Sequence, residues 1–101
     1  MAEKQSSSIK ERSDVGSDFP KKYKVIFIND DFTTWDVVVN VLMTVFHKTE
    51  SEANRLTEEV DRNGKAVVGV YSYDMAVTRT KRGIEMARAA DAPLRIIYEE
   101  E

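Results

Sequence analysis

Three adjacent polar residues, Asn29, Asp30 and Asp31, are the clearest candidates for chemistry in this sequence. They directly follow an apolar run, and together they carry one amide and two carboxylates, all of which are strong hydrogen-bond acceptors. Short polar side chains often bond their own backbone, which would make this segment a plain turn. The same oxygens could instead bind a divalent cation or an organic cation such as an amine. A metal would need several further oxygen ligands at suitable spacing, and no neighbouring loop supplies them.

The rest of the sequence offers little for catalysis. It contains no cysteine, and its single histidine, His47, excludes a metal site built from several histidines. We expect His47 to lie at a helix end, where a protonated imidazole complements the helix dipole, rather than to bind a ligand. Ser51 and Ser72 are explained by helix capping, and no glycine-rich loop could cradle a phosphate. We therefore predict no catalytic residue, no metal and no cofactor.

Composition limits the class of protein and its partners. The chain has 101 residues, of which 42% are hydrophobic and 33% are charged, as in one soluble globular domain. Its 15 Lys and Arg against 18 Asp and Glu give a net charge of −3, whereas nucleic-acid-binding modules present a basic face. No apolar run could span a membrane, and the N-terminus lacks the apolar core of a signal peptide. We expect a cytoplasmic protein that binds neither nucleic acid nor membrane.

The elements that must position the polar cluster follow an N-terminal tail. Residues 1–19 are dominated by serine and mixed charge, which predicts a flexible tail, although it could also be an inert terminus. The core domain is expected over residues 20–101. Alternating apolar residues predict strands at 23–28, 66–71 and 94–98.

Helical periodicity predicts three helices between and after these strands. The first runs from about residue 33 to about 47, the second begins with a capping box at Thr49 and Glu52, and the third begins at Ser72. The resulting order βααβαβ predicts an α+β, two-layer sandwich with three helices on one side of a three-stranded sheet. We expect an antiparallel sheet, because Lys24 and Arg95 interrupt strands that a doubly covered parallel sheet would keep apolar.

Several motifs, in order and spacing, resemble the ClpS adaptor family. The segment from Tyr23 to Thr33 is similar to the family signature Y-K-V-x-x-x-N-D-D-x-T. The segment from Asn63 to Val70 resembles the x-G-K-A-x-x-G-V motif of the same family, and the resemblance extends over residues 20–98. ClpS proteins are not enzymes. They bind proteins with a destabilising N-terminal residue (Leu, Phe, Tyr or Trp) and deliver them to a Clp AAA+ unfoldase and its peptidase.

The resemblance implies which residues form the binding site. The Asn and the first Asp of the motif, here Asn29 and Asp30, hold the α-amino group of the ligand. An internal residue, with its planar amide, would leave these acceptors unpaired and be rejected. The walls of the family's pocket correspond to Asp31, Thr33, Trp35, Val38, Thr57, Val60 and Leu94. From the sequence alone, Val38, Val60 and Leu94 could equally be plain core residues.

Three positions depart from the family pattern. Asp61 stands where the family has a histidine against the α-amine, Thr57 where a methionine lines the pocket, and Trp35 where a methionine screens side-chain shape. A carboxylate can accept directly from an ammonium group, so Asp61 could keep that contact. We expect the chain to bind the same class of ligand as the family. The order of affinity among Leu, Phe, Tyr and Trp does not follow from the sequence.

The resemblance also implies a second surface, which contacts the N-terminal domain of a ClpA- or ClpC-type unfoldase. Asp74 and Arg79 match its acidic and basic residues; without the resemblance they would be a first-turn helix acid and a solvated charge. The tail would engage the unfoldase during delivery, and the adaptor would act as a monomer. Because Thr57 and Asp61 alter the pocket and not this surface, an alternative remains: a domain that docks on the Clp ATPase and modulates its substrate choice without binding N-terminal residues.

Overall fold

The fold is a three-stranded antiparallel sheet with three helices, seen in a computed structural model that describes residues 20–101. The predicted tail lies outside these residues. The elements are β1 (Lys22–Ile28), α1 (Trp35–Thr44), α2 (Glu50–Asn63), β2 (Lys65–Ser72), α3 (Tyr73–Ala89) and β3 (Arg95–Glu100). Strand β1 is central and pairs antiparallel with both β2 and β3. The predicted α+β sandwich with the order βααβαβ is therefore confirmed.

The core lies between the sheet and the helices. Side chains alternate along β1, so that Val25 and Phe27 face the helices and are fully buried. Leu42 of α1 is also fully buried, and the rings of Phe27 and Phe46 meet edge to face at 5.4 Å. The opposite face of the sheet carries Lys24, which pairs with Glu99 at 3.7 Å, as well as apolar residues such as Ile26. The predicted one-sided covering of the sheet explains this alternation.

Two chain reversals meet at one end of the sheet. Gly64 ends α2 in the left-handed conformation, with φ of 85°, which a glycine adopts without steric cost. Its carbonyl accepts a hydrogen bond of 2.8 Å from the backbone N–H of Asn29, directly after β1. This bond joins the end of β1 to the end of α2, and so holds the polar cluster beside the last turn of that helix.

Helix α1 differs from its prediction at both ends. Its N-cap is Thr34, whose hydroxyl accepts from the N–H of Val37, and not the predicted Thr33. The helix ends at Thr44, three residues earlier than expected. His47 has a φ of 56°, and the N–H of Lys48 reaches back to the carbonyl of Leu42 at 3.1 Å. His47 therefore lies beyond the helix end, and its backbone helps to close that end.

The other predicted caps are present. Thr49 and Glu52 form a reciprocal capping box at the start of α2. The hydroxyl of Ser72 accepts from Met75 at the start of α3. The strand ends differ from the predicted ones by at most two residues. Within residues 20–101, no helix combines the length and apolar character needed to cross a membrane.

Candidate functional site

A small cavity of about 50 Å³ lies between the two helices α1 and α2, beside the turn that follows β1. Its lining residues all belong to the set predicted from the sequence: Asn29, Thr33, Trp35, Val38, Thr57, Val60 and Asp61. They come from the β1–α1 turn and from one face of each helix. The fold therefore brings together residues that are separated by up to about 30 positions in the chain.

Two exposed polar side chains stand on the rim of the cavity. Asn29 follows β1 and is fixed through its backbone bond to Gly64, whereas Asp61 belongs to the last turn of α2. Among residues 20–101, neither side chain forms a hydrogen bond or an ion pair with another side chain. The rim thus presents an amide and a carboxylate whose acceptor atoms can be used by a ligand.

Asp30 organises the turn beside the cavity. Its Oδ1 accepts from the N–H groups of Phe32 and Thr33, and its Oδ2 accepts from the Thr33 hydroxyl, each at 2.7 Å. Burial raises the pKa of the Asp30 carboxyl, but these three hydrogen bonds outweigh burial and hold the pKa below its ordinary value of 3.8. The sequence left three alternatives open for this segment: a plain turn, a divalent-cation site or a site for an organic cation. Within the chain, the Asp30 side chain forms the hydrogen bonds of a turn.

The floor of the cavity is apolar. Val38 and Val60 are 5% and 3% exposed, and both belong to the main hydrophobic core. Thr57 is also buried, and its hydroxyl donates to the Ala53 carbonyl at 2.7 Å. Because that bond uses its only donor, Thr57 adds no free donor to the cavity. Beneath a polar rim, the cavity therefore suits an uncharged side chain.

Trp35 is the first residue of α1 and forms the outer wall. Its side chain is 44% exposed, so it is not the core anchor that a tryptophan at this position could have been. Its Nε1–H donates to Oδ1 of Asn54 in α2 at 2.9 Å. Asn54 was missed by the sequence reasoning. No local pattern could have revealed it, because the two residues are 19 positions apart and only the packing of α1 against α2 joins them.

Besides Asp30, which lies in the turn next to it, two predicted residues do not line this cavity. Asp31 is exposed in the turn and makes no side-chain hydrogen bond among the described residues. Leu94 is buried just before β3, where it lines a separate groove of about 310 Å³ with Ile84 and Arg88. The structure therefore associates Leu94 with the α3–β3 side of the molecule.

The two predicted docking residues lie in different surroundings. Asp74 is exposed in the first turn of α3. Arg79 is half-buried: its guanidinium lies 5.1 Å from the centre of the Tyr71 ring, and one of its nitrogens is 3.5 Å from the Val45 carbonyl. Five residues along a helix correspond to a rotation of about 140°, so the two side chains leave α3 in different directions.

The chemistry of the site is that of binding. Its rim has acceptors for a cation and its floor has apolar side chains, while the described residues group no three His, Cys, Asp or Glu closely enough for a metal ion. The arrangement suits a cationic amine with a neighbouring apolar side chain.

Comparison with known proteins agrees with this description. The family model described as "ATP-dependent Clp protease adaptor protein ClpS" matches residues 18–97. The chain is 49% identical over 88 residues to an ATP-dependent Clp protease adapter protein ClpS from Nautilia profundicola, covering 87% of this chain and 91% of that relative. It is 46% identical over 101 residues, the full length of both chains, to a protein of the same name from Acetivibrio thermocellus.

A solved structure, that of Agrobacterium tumefaciens ClpS2 bound to L-phenylalaninamide, has the same fold. The TM-score is 0.79 and the sequence identity 37%, and the match covers 82% of this chain and all of that one. With the family motifs, the βααβαβ sandwich and the matching relatives in agreement, the chain belongs to the ClpS family of ATP-dependent Clp protease adaptor proteins.

Proposed function

We propose that the cavity binds the N-terminal residue of a substrate protein, with Leu, Phe, Tyr or Trp as the side chain inside. The observation that carries this proposal is the pairing of an acceptor rim, Asn29 and Asp61, with the apolar floor of Val38 and Val60. A free N-terminus offers the matching chemistry, because its ammonium group has three donors and lies two bonds from its side chain. L-phenylalaninamide, bound by the Agrobacterium relative, carries the same amine beside an aromatic side chain.

Selection against internal residues follows from the same rim. An internal peptide nitrogen is uncharged and planar and has one donor, so it would leave rim acceptors unpaired and desolvated. We assign Asn29 and Asp61 direct contacts with the amine. The Asp30 carboxylate has about four lone-pair sites and uses three in the turn, so one site remains for the same amine.

We further propose that the chain delivers its ligand to the ATPase of a Clp protease, of the ClpA or ClpC type. The family name supports a Clp protease partner, and Asp74 and Arg79 are our candidates for the contact with its N-terminal domain. Asp74 presents a free carboxylate, whereas Arg79 would offer only the donors left after its contact with the end of α1. We propose a monomeric adaptor in the cytoplasm, with residues 1–19 as a tail used in delivery.

The decisive experiment measures the affinity of labelled peptides. Peptides that begin with Leu or Phe should bind, while the same peptides with an acetylated N-terminus should bind at least about 100-fold more weakly, because a charge-assisted contact is lost. Equal binding of free and acetylated peptides would contradict the proposal. Binding of the Clp ATPase without binding of any free peptide would favour the alternative, a domain that only modulates the ATPase.

A further inference from the structure

The cavity is small compared with the side chains that we propose it binds. It measures about 50 Å³, whereas an engineered protein cavity that holds benzene measures about 150 Å³. To enclose a large apolar side chain as benzene is enclosed there, a wall of this cavity has to move outward. Val38, Thr57 and Val60 are at most 5% exposed and are packed into the core. Trp35, at 44% exposed, is the large wall that has room to move.

Asn54 holds this wall in place. Its Oδ1 accepts from the indole N–H of Trp35 at 2.9 Å, and its Nδ2 donates to the backbone carbonyl of Glu50 at 3.0 Å. An indole N–H can only donate and a carbonyl can only accept, so the two partners together fix the orientation of the amide. Asn54 is thus anchored to its own helix on one side and to the indole on the other.

We propose that Asn54 is a specificity-determining residue, which sets the width of the cavity through its hydrogen bond to Trp35. The inference rests on the proposed function and adds to it how the cavity ranks its ligands. A ligand side chain that pushes the indole outward must strain or break this hydrogen bond, and its affinity falls accordingly. Side chains branched at Cβ, such as Ile, carry their bulk at the mouth and cannot rotate it away from the wall, whereas Leu branches one carbon deeper. The bond therefore penalises Ile more than Leu.

The first test replaces Asn54 by alanine and measures two quantities. The ratio of dissociation constants for Ile-starting and Leu-starting peptides should fall about two- to tenfold, the range expected for one neutral hydrogen bond. Because Trp35 is the only tryptophan, its fluorescence reports on the indole directly. Its emission should shift to the red and be quenched more strongly by acrylamide. Alanine is a strong helix former, so α2 should persist.

A matched control separates loss of the Asn54–Trp35 hydrogen bond from the general effect of replacing an exposed helical asparagine by alanine. Asn40 is an exposed asparagine of α1 that does not line the cavity, and Asn40→Ala should leave both the peptide ratio and the emission unchanged. Circular dichroism and a urea midpoint for each variant confirm that both remain folded.

A second background tests whether Asn54 acts through the indole. Trp35→Phe keeps an aromatic wall but has no N–H, so adding Asn54→Ala to it should not change the peptide ratio further. The same two- to tenfold drop in both backgrounds would overturn the inference, since Asn54 would then act in some other way. An unchanged ratio in the wild-type background would overturn it as well.

The two proposals fail in different ways. If no peptide with a free Leu or Phe binds the unaltered chain, the proposed function is wrong and the inference falls with it. If these peptides bind normally but Asn54→Ala leaves the ratio of the Ile and Leu dissociation constants unchanged, the proposed function stands and the inference alone is wrong.

Discussion

At the scale of single residues, the Asp30 carboxylate organises the turn beside the cavity, and we propose that it also contacts the ligand. Its three hydrogen bonds to Phe32 and Thr33 build the turn on which Asn29 is displayed. From the sequence alone, a substitution at Asp30 would be expected to spare the fold, because the residue only ends a strand. Because of the observed hydrogen bonds, we instead expect a substitution at Asp30 to loosen the turn while leaving the rest of the fold intact.

Asp30→Asn should weaken binding of a Phe-starting peptide by about 2–4 kcal/mol, as expected when a charge-assisted contact with a partly buried amine is lost. The amide keeps the size of the side chain but loses the charge and one acceptor for Thr33. We therefore also expect shifted amide resonances for Phe32 and Thr33 with unchanged resonances elsewhere. Asp31→Asn is the matched control and should bind normally. Normal affinity of Asp30→Asn would refute the contact.

The same carboxylate predicts a pH dependence. Since the pKa of Asp30 is lowered in the folded protein, its contribution to stability is present above the ordinary value of 3.8 and is lost as pH falls through the lower, folded-state pKa. The turn should thus be intact at pH 5 and loosen only below about pH 3.8. An NMR titration of the Asp30 carboxyl carbon, with the Thr33 amide as reporter, checks this. A midpoint above 3.8 would contradict the hydrogen-bond pattern.

Asp61 tests whether the rim carboxylate contacts the amine. Asp61→Asn should weaken peptide binding, because it removes a charge facing an ammonium group. Asp61→His should largely preserve binding, because it restores the residue that the family pattern places against the α-amine at this position. A merely solvated helix-end acid would leave all three affinities within about 0.5 kcal/mol of one another. Calorimetric titration with a Leu-starting peptide distinguishes the outcomes.

At the scale of elements, the end of α1 depends on an unusual backbone conformation. His47 adopts a φ of 56°, a region that is rare for residues other than glycine and is tolerated by asparagine and histidine. This conformation allows Lys48 to bond back to Leu42, and it turns the chain toward α2. One exposed residue therefore closes the end of α1 and begins the connection to α2.

His47→Val should lower the free energy of unfolding by about 1–2 kcal/mol, because a β-branched residue is strained in the left-handed region. His47→Asn, which tolerates this region, should stay within about 0.5 kcal/mol of the original. Urea unfolding of both variants measures the difference. If valine were as stable as asparagine, the imidazole and not the backbone conformation would be the feature that matters at this position.

At the scale of the whole molecule, the cavity and the proposed docking residues lie at opposite ends of the sheet. Lys65 pairs with Ile28 beside the cavity, and Ser72, which caps α3 just before Asp74, pairs with Lys22 at the other end. Seven residues of strand separate them by about 20 Å. A substrate held at one end and an unfoldase held at the other would not exclude each other, which suits an adaptor.

Removal of residues 1–18 tests delivery separately from binding. The deletion takes away no residue of the cavity and no part of the fold described here, so the affinity for Leu-starting peptides should not change. Degradation of a Leu-starting reporter by the cognate Clp unfoldase and peptidase should nevertheless fail, because we propose that the tail engages the unfoldase. Equal degradation rates with the full-length and shortened chains would assign the tail no part in delivery.

Local signals in the sequence predicted the helices, the strands and most of the residues that line the cavity. Local signals sufficed for the capping box at Thr49, the cap at Ser72 and the glycine exit at Gly64, because caps and turns depend on residues within a few positions of one another. Alternation along the strands and helical spacing likewise identified which faces are buried. The motifs around Asn29 and Gly64 then indicated the residues that line the cavity.

The contacts that these residues make depend on tertiary packing and could not be predicted from local signals. The ends of α1 differ from the prediction, because Thr33 bonds Asp30 instead of capping the helix and because His47 takes a left-handed conformation. Leu94 lies in another groove, and Asn54 reaches Trp35 across two helices. Such contacts depend on how α1, α2 and the sheet pack together. Packing brings together residues that are far apart in the chain, and the periodicity of the sequence does not reveal such pairs.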